Sequence, residues 1–585
     1  MPADVLPVIT VRPAQPALVE MLVKDGVPPL LARLYAARGV ASHLELAARF
    51  EGLAGLDAML NLRTMARLLA DAITARRKLV IVADYDADGA TACAVGLRAL
   101  RAFGAEVDYL VPNRFEYGYG LTPEIVRLAY ERFHPAILIT VDNGIASFEG
   151  VAEASRLGME VLVTDHHLPA DRLPDAACII NPNQPGCDFP SKHLAGVGVI
   201  FYLMLALRAE LRGRGAFAAA SRQPPAVSPQ PSTANAAEPN LADLLPLVAL
   251  GTVADVVALD HNNRILVQQG LQRIRAGRMQ PGIAALFAVA GCDARRATTR
   301  DLGFVLGPRL NAAGRLTDMA LGIECLSTDD AGRARSLAGE LDRINRERRS
   351  IESGMHEDAL AVVDAGDLGD SYTLCLFDPV WHQGVVGILA GRLKERFNRP
   401  AIAFARANSG EIRGSGRSIA CLHLRDALDR VAVLNPGLIL KFGGHAAAAG
   451  LTLRETDFER FRAAFEATVR SLLSLADLER VIETDGALTP AELSLDTVDL
   501  LAAPAWGSGF PAPRFCDQFD VAGQRVVGEQ HLKLALALGP RRFEAIRFRW
   551  TEPAPDRIRA VYQPALNEFD GMRSLQLTIE HWEAV

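Results

Sequence analysis

LVIVADYDADGATACAV, residues 79–95, runs from a continuous apolar segment through three carboxylates, Asp84, Asp86 and Asp88, into small residues of helical character. An apolar run without polar alternation is what a strand covered on both faces requires. Three like charges within five residues repel and are costly to remove from water. Their crowding at the end of a buried strand therefore needs a physical reason. The pattern repeats downstream: EVDYLV (106–111), AILITV (136–141), EVLVT (160–164) and CIIN (178–181) are short runs separated by helix-length segments. That alternation predicts βαβ units and a doubly wound, parallel α/β sheet.

The chain has 585 residues, too many for one hydrophobic core, and its length suggests about three or four domains. It is 50% hydrophobic and 22% charged, an ordinary globular balance. A net charge of −7 gives no global attraction to a polyanion, so local basic surface or bound metal must supply it. Eight scattered cysteines without a CxxC pair argue against a disulfide framework or zinc ribbon and fit a reducing compartment. The longest apolar run, LAGVGVIFYLMLAL (194–207), is too short for a membrane span and reads as a buried helix. With no basic-then-apolar leader at the start, the expectation is a cytoplasmic protein with no membrane partner.

The expected order is an N-terminal extension (1–48), a large α/β domain (49–320) and a connecting helix (321–362). A smaller α/β domain (363–470), with strands TLCLF and AIAFA, and a C-terminal β domain (471–585) follow. Within the large domain, residues 213–240 contain five prolines and few large apolar groups, which predicts a disordered insertion. The last hundred or so residues alternate between turn signals, as in FEAIRFRW and SLQLTIEHW. They predict a small antiparallel barrel, with an oligonucleotide-binding fold as one candidate.

Ligands of a doubly wound sheet bind outside the carboxyl ends of its strands. Three strands end in ligand types: ADYDADG (Asp84, Asp86, Asp88), TVDNG (Asp142, Asn143) and VTDHHLP (Asp165, His166, His167). Asp255, after LLPLVALGTVAD, is a fourth candidate. An aspartate at a strand end is often only a helix N-cap, the competing reading for Asp88 and Asp142. Three such ends on one sheet edge point instead to metal. Carboxylates with one or two imidazoles suit Mn²⁺ or Mg²⁺. Two dications turn mutual repulsion into a cage, which accounts for the crowding, and suit a two-metal phosphoesterase.

The segments DYDADG, VDNG, TDHH and LGTVADVVAL resemble the signatures of the DHH phosphoesterases. VPNRFEYGYGL, NPNQPGCDFPSKHLAGVGV, LGPRLNAAGRL, WHQGVVGILAGRLKERFNRP, GSGRS and KFGGHAAAAGL resemble, in order, segments of the bacterial RecJ-type exonucleases within that family. The resemblance implies a DHH domain and a DHHA1 domain joined by a long helix, with the active site in the cleft between them. An OB-like domain would guide the strand. It implies 5′→3′ hydrolysis of single-stranded DNA to mononucleotides in recombination, mismatch and other repair. It also implies a monomer whose partners are single-strand-binding protein and a RecQ-type helicase.

By the same resemblance Asp86, Asp88, Asp142, His166 and Asp255 are metal ligands, while Asp84 and Asp165 support or complete the cage. His167 faces the scissile phosphate. Arg114, Arg309, Asn311 and Arg315 contact phosphates, for which arginine's planar fork is suited. Structural ion pairing is the competing reading for one of the two arginines in GPRLNAAGR. Ser415 and Arg417 would clamp the 5′ phosphate, glycines on either side letting backbone N–H groups approach an anion. His445 would lie beside substrate. Pyrophosphatase relatives carry a metal-binding histidine where this sequence has Val82.

Two other functions share the catalytic motifs. A small-molecule phosphodiesterase cleaving dinucleotides would not need the C-terminal β domain or this length. A non-catalytic DNA-binding relative would have lost ligands, and here every expected carboxylate and both histidines are present.

Overall fold

The computed structural model describes residues 7–113, 117–118, 120–217, 237–365, 370–407, 410–569 and 571–585. Arg114 and residues 218–236 of the predicted insertion lie outside them. The chain forms two compact units. One comprises Arg12–Arg343 with Asp485–Val585, the other Met1–Val11 with Ile344–Thr484.

The first unit holds the predicted sheet. Strands β1 (Leu79–Ala83), β2 (Val107–Leu110), β3 (Ile137–Val141), β4 (Glu160–Thr164) and β5 (Cys178–Ile180) pair in the order β2-β1-β3-β4-β5, parallel throughout. Every residue of β1 and β3 is buried, as their unbroken apolar runs require. The order reverses between β1 and β3, so their carboxyl ends flank the crevice where such sheets bind ligands. Helix α1 (Ala87–Ala102) follows β1. The long apolar run forms α2 (Gly196–Gly213), buried along most of its length rather than spanning a membrane. Among the described residues no helix is long and apolar enough to cross one. Helices α3 (Leu245–Ala254) and α4 (Gly307–Leu316) complete the surroundings of the crevice. Helix α5 (Ala331–Ala365), 35 residues long, crosses the boundary between the units.

In the second unit, β6 (Leu374–Asp378), β7 (Ala401–Arg406), β8 (Glu411–Arg417), β9 (Lys441–Gly444) and β10 (Ala448–Arg454) form a sheet ordered β9-β10-β8-β7-β6. Only β6 and β7 are parallel. Helix α6 (Val386–Phe397) buries Leu389, Ala390 and Leu393. Phe404, Phe461 and Phe465 fill the core, the last two stacked with ring centroids 5.8 Å apart. The chain start is no separate extension: strand Val8–Val11 pairs in parallel with Val481–Thr484 of this unit, whereas residues from Arg12 belong to the first.

The C-terminal strands β11 (Phe515–Val527), β12 (His531–Leu538), β13 (Arg541–Arg547), β14 (Arg557–Phe569) and β15 (Met572–Ala584) close a barrel in the order β11-β12-β13-β15-β14. The expected antiparallel pattern has one departure: β13 and β15 run parallel, and that pairing closes the barrel. Closure removes the exposed edges an open five-stranded sheet would present. Phe515, Phe519 and Tyr562 pack inside, and the Tyr562 hydroxyl donates to Asp517 at 2.7 Å.

Candidate metal centre

Strand register lines up the acidic ends. Ala83 pairs with Val141, and Val141 with Thr164. The next amides continue the ladder: Asp84 N–H donates to Val141 O (3.2 Å), Asp142 to Thr164 O (3.0 Å) and Asp165 to Ile180 O (3.1 Å). Three aspartates thus leave one sheet edge side by side. Asn143, fully buried, ties that edge together by donating to Val82 O and Val141 O at 3.1 and 2.9 Å.

The N-cap of α1 is Asp86, not Asp88. Its carboxylate accepts from Gly89 N–H at 3.0 Å. Asp88 lies in the first turn, where both oxygens accept from the first amides of α2, Gly196 (2.7 Å) and Val197 (2.9 Å). A helix N-terminus stabilises such a carboxylate. Asp142 takes a left-handed backbone, φ +63°, to turn its side chain into the crevice. Asp255 is the C-cap of α3.

His166 joins these elements. Its Nε2 lies 3.1 Å from Asp142, 3.7 Å from Asp255 and 4.0 Å from Asp88. Among the described residues, three sets of ligand atoms fall within 4.8 Å of one another: Asp88, His166 and Asp255; Asp84, Asp86 and Asp142; and Asp142, His166 and His167. Asp142 belongs to two of them. Burial, then the neighbouring Asp86 charge, holds Asp84 well above the usual carboxylate range. Burial followed by Asp255 does the same to Asp88, and burial followed by Asp88 and Asp86 to Asp142. Asp255 is pushed up to about 7 by burial and Asp86. A dication relieves both the desolvation and the repulsion, so the donor set fits hard divalent ions.

Asp165 has another task. One oxygen accepts from the His166 and His167 amides and from His167 Nδ1 at 2.7 Å. The other accepts from Ile145 N–H. Burial raises its pKa, but the hydrogen bond and charge of His167 outweigh this and hold it below the usual range. It positions the tandem histidines.

Two asparagines that sequence reasoning did not single out hold the same loop from behind. Asn181 Nδ2 donates to His167 O (2.8 Å) and Asn183 Nδ2 to His166 O (2.7 Å). Their signal was the NPN immediately after β5. Close approach is the other missed feature. A Cβ on Gly314 would lie 1.9 Å from Tyr85 O, and one on Gly251 would lie 2.1 Å from Thr91 Oγ1 and 2.9 Å from Asp88 Oδ1. Only glycine lets α4 and α3 come this near the acidic loop.

The two arginines of GPRLNAAGR separate. Arg309 is buried, bonded to Asp342 at 2.9–3.0 Å and to Val305 O. Arg315, one face further along α4, is half-buried. The amide oxygen of Asn311 accepts from Ala87 N–H at 2.8 Å, fastening α4 to the start of α1.

In the second unit, Ser415 and Arg417 sit on the same face of β8, and Arg417 donates to Ser415 Oγ (3.2 Å) and Gly416 O (2.8 Å). Burial pulls the Arg417 pKa down, and among the described residues no carboxylate opposes it. A Cβ on Gly387 of α6 would lie 2.8 Å from Ser415 Oγ and 3.2 Å from the Arg417 guanidinium. The glycine near the start of α6 therefore leaves room over these two side chains. His445 follows β9, its amide bonded to Ala448 O.

Comparison with known proteins agrees with this arrangement. The profile of the DHH family, N-terminal domain, matches residues 78–252; the DHHA1 domain matches 369–471 and the RecJ OB domain 484–581. The single-stranded-DNA-specific exonuclease RecJ of Dickeya dadantii is 50% identical over 574 residues, covering 95% of this chain and 96% of that protein. Among solved structures, RecJ of Thermus thermophilus in complex with Mn²⁺ superposes with a TM-score of 0.81. It is 28% identical and covers 100% of this chain and 80% of that one. The Mg²⁺ complex from the same organism gives 0.76 at 27% identity, covering 99% and 78%. With half of its residues identical across nearly the whole length, and all three domain types in the same order, this chain belongs to the RecJ family of single-stranded-DNA-specific exonucleases.

Proposed function

We propose that the protein is a divalent-metal-dependent exonuclease that degrades single-stranded DNA 5′→3′ to mononucleotides in recombination and repair. The observation that carries this is the pair of ligand groups that meet at the sheet's switch point, Asp88–His166–Asp255 and Asp84–Asp86–Asp142. His166 lies within 3.1 Å of Asp142, which links them. Asp88, Asp142, His166 and Asp255 would hold one Mn²⁺ or Mg²⁺, and Asp86 with Asp142 and Asp84 the other. Two such ions supply an activated water and charge stabilisation for phosphoryl transfer.

The chain's own side chains do the rest. Asp165 orients His167 toward the scissile phosphate as a proton donor or phosphate ligand. Arg315 grips backbone phosphate, whereas Arg309, committed to Asp342, holds α4 in place. Asn311 acts through α1, to which it is bonded. Arg114 is assigned to phosphate on its motif alone. Ser415 and Arg417 take the 5′ phosphate: a half-buried guanidinium with no carboxylate beside it among the described residues calls for an anion. His445 lies alongside. The catalytic domain spans about 49–320, and the C-terminal barrel feeds the strand. The same reading makes the protein a cytoplasmic monomer that meets single-strand-binding protein and a RecQ-type helicase; its eight free thiols suit a reducing compartment.

The deciding experiment is digestion of end-labelled single strands, blunt hairpins and a dinucleotide with Mn²⁺ or Mg²⁺. Mononucleotide release from the 5′ end of the single strand alone is expected. Preferential cleavage of the dinucleotide would replace this reading with the small-molecule one.

A further inference from the structure

Three large apolar side chains stand in solvent on segments that adjoin the elements of the acidic cluster. Leu168 follows His167 and is 63% exposed; Val256 follows Asp255 and is 67% exposed. Phe304, 75% exposed, lies on a π-helical turn, Asp301–Leu306, that leads directly into α4. This turn packs against the end of α3. A Cβ on Gly303 would lie 3.2 Å from Val253 Cγ1, and one on Gly307 3.1 Å from Ala254 Cβ, so the contact involves the two residues before Asp255.

Two of these positions are costly to build. Val256 has φ +67°, a left-handed conformation that a β-branched residue rarely adopts. π-Helical turns are uncommon and concentrate at functional sites. Strain and irregular backbone survive where the surroundings impose them, often for a purpose. Here both hold an apolar group in solvent on backbone that adjoins Asp255 or packs against its helix, where a polar residue would be better solvated.

We propose that Phe304, on the turn packed against the end of α3 that carries Asp255, is a stacking platform for a nucleobase near the 5′ end of the bound strand. This rests on the single-stranded DNA reading above and adds how the bases are held. The occupant follows from position and chemistry. The turn packs against the last residues of α3, whose C-cap Asp255 belongs to the ligand cluster, so a strand that reaches the cluster passes near this turn. A chain of net charge −7 gains little general attraction for DNA, so uncharged contact must supplement the phosphate grips. An aromatic face accepts every base, as a sequence-independent exonuclease needs, and only an unpaired strand can offer its base face.

The test is equilibrium binding by fluorescence anisotropy, with Ca²⁺ in place of the catalytic ion. The ligands are 5′-phosphorylated oligonucleotides, intact or with one abasic residue walked through the first several positions. Phe304→Ala should weaken binding of the intact strand by roughly five-fold or more, the scale of one lost base stack. Phe304→Trp should restore it, with indole fluorescence quenched on binding. One abasic position should reproduce the loss in the wild-type protein, and on that strand Phe304→Ala should add nothing. Equal weakening on intact and on every abasic strand, or none on the intact strand, overturns the proposal. Hydrolysis of the intact strand with Mn²⁺, run in parallel, judges the exonuclease reading separately.

Discussion

His167 Nδ1 lies 2.7 Å from Asp165 Oδ1, and the same oxygen accepts the His167 backbone amide at 3.1 Å. Burial alone would push the imidazole down, but the Asp165 hydrogen bond and charge outweigh it and lift His167 to about 9. In metal-free protein this imidazolium adds stability that is complete below the ordinary value of 6.5 and is lost as pH rises through about 9. The Asp165 contribution runs the other way. Its pKa is depressed, so its share is present above 3.8 and lost in acid. Thermal melts in EDTA of wild type and His167→Gln should therefore differ by roughly 1.5–3 kcal/mol at about pH 6, the scale of a charge-assisted hydrogen bond, and converge by about pH 10. A gap that persists in alkali would mean that the neutral ring, not the ion pair, stabilises the loop.

Asp142 belongs to two of the ligand sets, so its loss should damage both ion sites together. Asp142→Ala should cut turnover by more than the roughly 10²–10³-fold lost with a single electrostatic donor, while single-strand binding persists. Near-normal turnover would rule out a shared ligand at this position.

The sheet and its acidic edge were legible because β1 and β3 are fully buried runs rich in β-branched residues and each is followed by a carboxylate. Periodicity and strand-end chemistry are local properties. What escaped depends on distant partners. Asp86 caps α1 while Asp88 receives the amides of α2, a division that only the packing of α2, more than a hundred residues away, determines. Arg309 and Arg315 look alike in sequence, yet the burial of Arg309 and its bond to Asp342, 33 residues away on α5, are set by the packing of α5 and not by the local motif. The roles of Asn181 and Asn183 depend on the His167 and His166 carbonyls, which the folded loop brings to them.

Gly314 tests whether close approach positions the acidic loop. Its missing Cβ leaves the space occupied by Tyr85 O. Gly314→Ala should push α4 off the Asp84–Asp86 turn and cost about 1–3 kcal/mol or more in denaturant melts, as overpacked sites do. Activity should fall beyond what that stability loss explains. An unchanged melting curve would mean that α4 has slack at this contact.

The 5′-phosphate assignment predicts a difference between strand ends. Wild type should degrade a 5′-phosphorylated strand faster than a 5′-hydroxyl one, and Arg417→Ala should erase most of that preference. Charge-assisted bonds of about 1.5–3 kcal/mol correspond to a preference of roughly ten-fold or more. A variant that still discriminates fully places the clamp elsewhere.

The two ion sites should separate by mutation. Val82 is fully buried in β1 and offers no ligand where pyrophosphatase relatives have a histidine. Asp84 follows at the strand's end, with one oxygen accepting Tyr85 N–H at 2.8 Å and its carboxylate grouped with Asp86 and Asp142. The site built on Asp88, His166 and Asp255 mixes an imidazole with carboxylates, two of them with raised pKa values, and should fill first. The site built on Asp84, Asp86 and the shared Asp142 lacks the histidine and should fill second and more weakly. Manganese titration by calorimetry should therefore show two steps without DNA. Asp84→Asn should weaken only the second, by roughly ten-fold or more, and Asp255→Asn only the first. If both substitutions shift the same step, the ligands are not partitioned as the geometry groups them. If the wild-type steps are equally tight, Asp84 replaces the missing histidine completely.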